Sequence, residues 1–184
     1  MNTEKLLENF EQYSSLLKKY FPDDGIDKFL EDFGIRLTTC PRGLTEDTGG
    51  VYGDLISHSL KVTLCGINHA EVTNNIDKKS LARVSLIHEI GKLGSEEEEL
   101  FIVQESQWHK DKLGQNFKYN DLCSKMSVGH RTLYLLQKYG IKITQDEWVS
   151  ILVSQGLHFP ENAFYGKTLP SIGKILYFAK SIVE

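Results

Sequence analysis

Residues 54–72 and 77–92 are consecutive stretches whose apolar residues recur at helical spacing, and each carries a histidine on its apolar side. In the first, Leu55, Val62 and Cys65 form the stripe and His58 falls within it. In the second, Leu81, Val84 and His88 stand at i, i+3 and i+7, so His88 faces inward, with Glu89 about 100° further round. A neighbouring imidazole and carboxylate on a buried face are costly unless something pairs with them. Two partners suit them: a metal ion or a fixed cation. A hairpin of the two helices brings His58 and His88-Glu89 together. Imidazole nitrogen with carboxylate oxygen is a ligand set for zinc, manganese or a similar ion. A lone inward histidine is more often a hydrogen-bonded core residue, but two with an adjacent acid point to a site.

The remaining pattern is helical with one short interruption. Apolar spacing predicts a helix over 4–20 capped by Thr3, broken by Phe21-Pro22-Asp23-Asp24-Gly25, then a short helix over 26–33 closed by Gly34. Thr38 to Gly50 reads as loop. Asn74-Asn75 ends the helix over 54–72, and Asp77 caps the helix over 77–92. The acids Glu96 to Glu99 read as a solvated turn. Residues 100–104 and 116–120 are β-like and predict a small hairpin or irregular insertion. Further helices follow over 127–139, over 144–155 with a capping box at Thr144, and over 169–183. The fold class expected is mainly α. Residues 1–47 supply helices packing on a core formed by 48–184, in a single globular domain.

At 184 residues with 40% hydrophobic and 25% charged side chains, the chain can bury a real core. The net charge of −4 argues against general nucleic-acid binding, which calls for a basic face. Cys40, Cys65 and Cys123 include no close pair, so neither a disulfide framework nor a thiolate zinc site is supported. With no leader-like N-terminus and no membrane-spanning run, the expected setting is cytoplasmic.

The segment Gly49-Gly50-Val51-Tyr52-Gly53-Asp54…His58-Ser59-Leu60-Lys61-Val62, followed by Leu86-Ile87-His88-Glu89-Ile90-Gly91-Lys92, resembles the HD-domain metal-dependent phosphohydrolases. The resemblance is strongest to small phage-encoded members. Their pattern is similar to Trp108…Lys112-Leu113-Gly114…Phe117-Lys118-Tyr119-Asn120…Met126-Ser127, Leu133 to Gly140, Glu147-Trp148 and Gly156…Asn162…Tyr165. It covers about residues 48–184. It implies an HD-type helical bundle in the host cytoplasm, acting on a nucleotide or other phosphate ester through water on a divalent zinc, manganese or similar ion. His58, His88 and Glu89 would hold the metal, with Glu89 and Lys92 the catalytic groups. Lys61, Lys92, His130 and Arg131 are the candidate substrate-binding residues. His130 and Arg131 enter from their place at a helix start.

Three departures qualify that expectation. The family's His-Asp pair is His88-Glu89 here, a His-Asp-Gly segment corresponds to Ser154-Gln155-Gly156, and the final ligand Asp corresponds to Lys180. A protonated lysine has no lone pair for a metal. Its ammonium would instead stand at the metal position and pair with Glu89, or extend to solvent from the last helix. The sequence reading favours a metal-dependent phosphohydrolase; the alternative is a metal-free pseudoenzyme that binds a nucleotide or a protein partner.

Overall fold

In the computed structural model, which describes residues 3–22, 25–73 and 75–183, the chain is mainly helical with one two-stranded sheet. Helices α1 (Thr3–Tyr20) and α2 (Ile26–Thr39) come first. Asp23 and Asp24 of the expected break, and Asn74 of the expected stop, lie outside the described residues. Thr3, the expected cap, lies within α1 as described. α2 passes through Gly34, contrary to the expected stop there, because Ile26, Phe29, Phe33 and Leu37 form one buried stripe. Burying Leu37 outweighs the roughly 0.5–1 kcal/mol that a mid-helix glycine costs. A Cβ on Gly34 would meet Phe10 at 3.5 Å, an ordinary contact. Gly34→Ala is therefore expected to stabilise the chain by about 0.5–1 kcal/mol, read as a melting temperature raised by a few degrees.

Helices α3 (Asp54–Val72) and α4 (Lys78–Ile87) form the expected hairpin, and Asp77 accepts from the N–H groups of Lys79 and Ser80 at 3.0 and 3.1 Å. α4 ends sooner than its apolar period predicts. His88 and Glu89 leave the helix, and a 3-10 turn occupies Ile90–Leu93. Strands β1 (Phe101–Val103) and β2 (Phe117–Tyr119) pair antiparallel, Ile102 opposite Lys118. Between them lies an unexpected helix, α5 (Gln107–Leu113), set by its Ser106 cap and left-handed Gly114. α6 (Val128–Lys138), α7 (Gln145–Val153), the short α8 (Pro160–Ala163) and α9 (Ser171–Val183) complete the fold. The capping box at Thr144 is present with both of its hydrogen bonds. The acidic turn is more than solvated. Glu96 accepts from Lys138 and Tyr139, Glu98 from Asn120, and Glu99 pairs with Arg36 at 3.7 Å.

α3 packs on α4 and α9, and α9 packs in turn on α7. The N-terminal helices share this core: Tyr13, Phe29 and Phe33 lie in one cluster with Leu55, Leu86, Ile151 and Leu176. The buried Tyr13 hydroxyl donates to the Leu86 carbonyl at 2.7 Å, which ties α1 to the end of α4. No helix among the described residues is long and apolar enough to cross a membrane.

Candidate functional site

The break after Ile87 is held by contacts from distant parts of the chain. The Thr132 hydroxyl on α6 accepts from the Gly91 N–H at 2.9 Å and donates to the His88 carbonyl at 3.4 Å. Gln155, just past α7, donates to the same carbonyl at 3.2 Å. Gly91 lies so close to α6 that an added Cβ would stand 2.2 Å from the Val128 carbonyl oxygen. The turn is thus wedged against α6, and Glu89 takes a non-helical backbone (φ −119°, ψ 9°). This turns its carboxylate toward α3 and α9.

His58, His88 and Glu89 come together there, all buried, with one potential ligand atom from each within 4.8 Å of the others. The His88 Nδ1–H donates to the Ser85 carbonyl at 2.9 Å, which fixes Nε2 as the nitrogen with the free lone pair. Nε2 of His88 and of His58 are buried without a hydrogen-bond partner among the described residues. Burial pushes His58 down to about 3 and His88 to about 4, against some opposition from the Glu89 charge. Both rings are neutral near pH 7.

The Glu89 carboxylate is claimed by two lysines. Lys180 on α9 places Nζ 2.8 Å from Oε1 and also donates to the Ser154 carbonyl at 3.0 Å. Lys92 places Nζ 3.1 Å from Oε2, an ion pair by distance although Oε2 lacks a well-directed hydrogen bond. Burial alone would raise the Glu89 carboxyl. The Lys92 and Lys180 charges more than reverse this and hold it well below the usual carboxylate range. Lys92 is lowered, by burial first, with Glu89 opposing. Glu89 is 1% exposed, and the Lys180 and Lys92 side chains are 13% and 14% exposed, so the three charges face one another largely away from water.

Two histidines and a carboxylate are a suitable donor set for zinc or manganese, and the two partnerless Nε2 atoms suit it further. The charges do not. An ion bound to a carboxylate oxygen sits about 2.0–2.2 Å from it, beside ammonium groups that already occupy both oxygens of Glu89. At a separation of about 4 Å and an effective dielectric of about 20, a dication and one ammonium repel by roughly 8 kcal/mol. Two ammonium groups together oppose the ion by an amount comparable to the roughly 10–16 kcal/mol with which structural zinc binds. With Lys92 and Lys180 protonated and in place, the cluster does not fit a dication.

The other sequence candidates fall elsewhere. Lys61 is exposed and joins no ion pair among the described residues. His130 is exposed, with Nδ1 2.6 Å from the Ser127 hydroxyl at the cap of α6. Arg131 is buried and donates to the carbonyls of Gly91 and Ser124. Sequence reasoning missed Arg42, whose Nε lies 3.2 Å from Asp54 and whose charge bears on both His58 and Lys92. The signal available was Asp54 opening the helix that carries His58.

Comparison of the chain with protein-family models, with curated proteins and with solved structures finds no match.

Proposed function

We propose that the chain is a phage-type HD-domain protein whose metal centre has given way to an internal ion-pair cluster, and that it is a catalytically silent binding module. The observation that carries this reading is the Lys180 ammonium 2.8 Å from Glu89 Oε1, where the family resemblance calls for a metal-ligating acid. A lysine at that position supplies a fixed positive charge in place of the ion. The longer reach of glutamate relative to aspartate lets residue 89 meet it. Lys92, 3.1 Å from the other carboxylate oxygen, sets a second positive charge against a metal at Glu89.

A second reading has its own support. The partnerless Nε2 atoms of His58 and His88 are what a metal site leaves when the ion is removed. On that reading the chain is a phosphohydrolase acting on a nucleotide or other phosphate ester. It requires Lys180 to swing off Glu89. The substitution pair Glu89→Asp with Lys180→Asp separates the two readings. The unsubstituted chain is expected to take up neither zinc nor manganese and to release no phosphate from a nucleotide panel. The doubly substituted chain is expected to bind manganese or zinc. Phosphate release by the unsubstituted chain with added manganese would contradict the proposal, and a doubly substituted but folded chain that binds no metal would contradict the account of lysine standing in for the ion.

A further inference from the structure

Gln155, which donates to the His88 carbonyl, also lines an open groove of about 610 Å³ whose apolar walls include Leu100, Tyr119, Met126, Val128 and Phe159. Arg131 lies in its lining. The groove's wall surface is mainly apolar, and clefts of this size are typical of small-molecule sites. Arg131 is 2% exposed, and its ion-pair situation is unusual: among the described residues no carboxylate lies within pairing distance. Two of its five N–H donors go to the carbonyls of Gly91 and Ser124, which accept hydrogen bonds but bring no net charge. A buried charge without a counter-charge is costly, and an anion relieves it.

The surroundings narrow the kind of anion. Ser127 and Val128, the cap and first residue of α6, also line the groove, so the positive end of that helix adds to the attraction. Asp121, Glu161 and Lys125 stand along the groove too, but they are exposed and water solvates them. One buried guanidinium is neutralised by a monoanion. The planar fork of arginine matches a carboxylate. Tyr119 and Phe159 are 59% and 39% exposed and offer ring surface to a flat apolar body.

We infer that this groove binds a small aromatic carboxylate, its carboxylate on Arg131 and its ring against Tyr119 and Phe159. The inference rests on the reading of the chain as a binding module and names what the module holds. The test uses the full chain and a fluorescent apolar monoanion, 1-anilinonaphthalene-8-sulfonate, with indole-3-acetate as competitor. The expected result is saturable one-site emission that indole-3-acetate displaces, while acetate, neutral indole and dodecanoate at equal concentration do not. Arg131→Gln is expected to weaken the site by about tenfold or more. Because a buried arginine also supports folding, Met126→Trp at a 42% exposed position gives a second variant that fills the groove, and it is expected to lower affinity similarly. The inference is overturned by absence of a saturable site, by indole or dodecanoate competing as well as indole-3-acetate, or by undiminished binding in the folded Met126→Trp chain. Zinc titration of the same preparation reads the histidine cluster separately. A chain that takes up zinc and still shows the groove-dependent site contradicts the replaced centre and supports the groove.

Discussion

Replacing both lysines around Glu89, in Lys92→Met with Lys180→Met, is expected to destabilise the chain by about 3–5 kcal/mol, and adding Glu89→Gln is expected to recover most of that loss. Glu89 is 1% exposed and cannot turn to water, and its two counter-charges are the ammonium groups at 2.8 and 3.1 Å. Removing one side of a buried ion pair leaves an uncompensated charge and costs about 3–5 kcal/mol, whereas replacing the whole cluster by neutral groups of similar volume is often close to neutral. Thermal or urea unfolding of the three chains reads both steps, and the first amounts to a melting-temperature loss of roughly 6–20 °C at this chain length. The sign of the second step is the informative part. Lysines that merely extended to solvent would cost little to remove, and neutralising Glu89 would then bring no recovery.

The second large effect lies at the junction of α4 and α7. Arg83 places Nε 2.8 Å from Glu147 Oε1, donates to the Tyr20 carbonyl at 2.9 Å and to the Lys142 carbonyl, and stacks its guanidinium 4.1 Å from the Phe21 ring centroid. Glu147 is 1% exposed and is also the capping-box acid of α7, accepting from the Thr144 N–H at 2.8 Å. One side chain therefore ties the end of α1 and the start of α7 to the middle of α4. Arg83→Met is expected to cost about 3–5 kcal/mol by stranding Glu147, and Arg83→Met with Glu147→Gln is expected to cost less than Arg83→Met alone. Equilibrium urea unfolding measures both, and equal losses in the two chains would show that Glu147 does not need its partner.

The parts of this fold that were legible in the sequence are those fixed locally. α3 spans Asp54–Val72 as its stripe and flanking signals predict, Asp77 caps α4, and Thr144 with Glu147 forms the predicted box. Gly34 misled, because a single glycine signals a stop only where no apolar stripe continues past it. α5 was invisible to periodicity since none of its residues is buried; its cap and its left-handed glycine define it instead. The early end of α4 has a cause far along the chain. The Thr132 hydroxyl captures the Gly91 N–H from 41 positions away, and no pattern within 77–92 encodes that.

The same division runs through the site. Inward spacing brought His58 and His88 together as expected. The sequence leaves Lys180 either paired with Glu89 or extended to solvent, and only the assembled bundle shows it on the carboxylate. Lys92 is marked in the sequence only as a catalytic and substrate-binding candidate, and the non-helical turn at Glu89 places it on that carboxylate. Arg131 was legible as a basic residue near a helix start, but its burial without a counter-charge required the groove to be formed first.

The central claim is that the Lys180 ammonium stands where a metal ion would otherwise sit. Its most direct test is metal quantification of the purified chain after saturation with zinc and with manganese and removal of free ion. The account predicts only trace metal, with the histidines undisturbed. A stoichiometric ion retained by the unsubstituted chain, and lost on His58→Ala or His88→Ala, would contradict it.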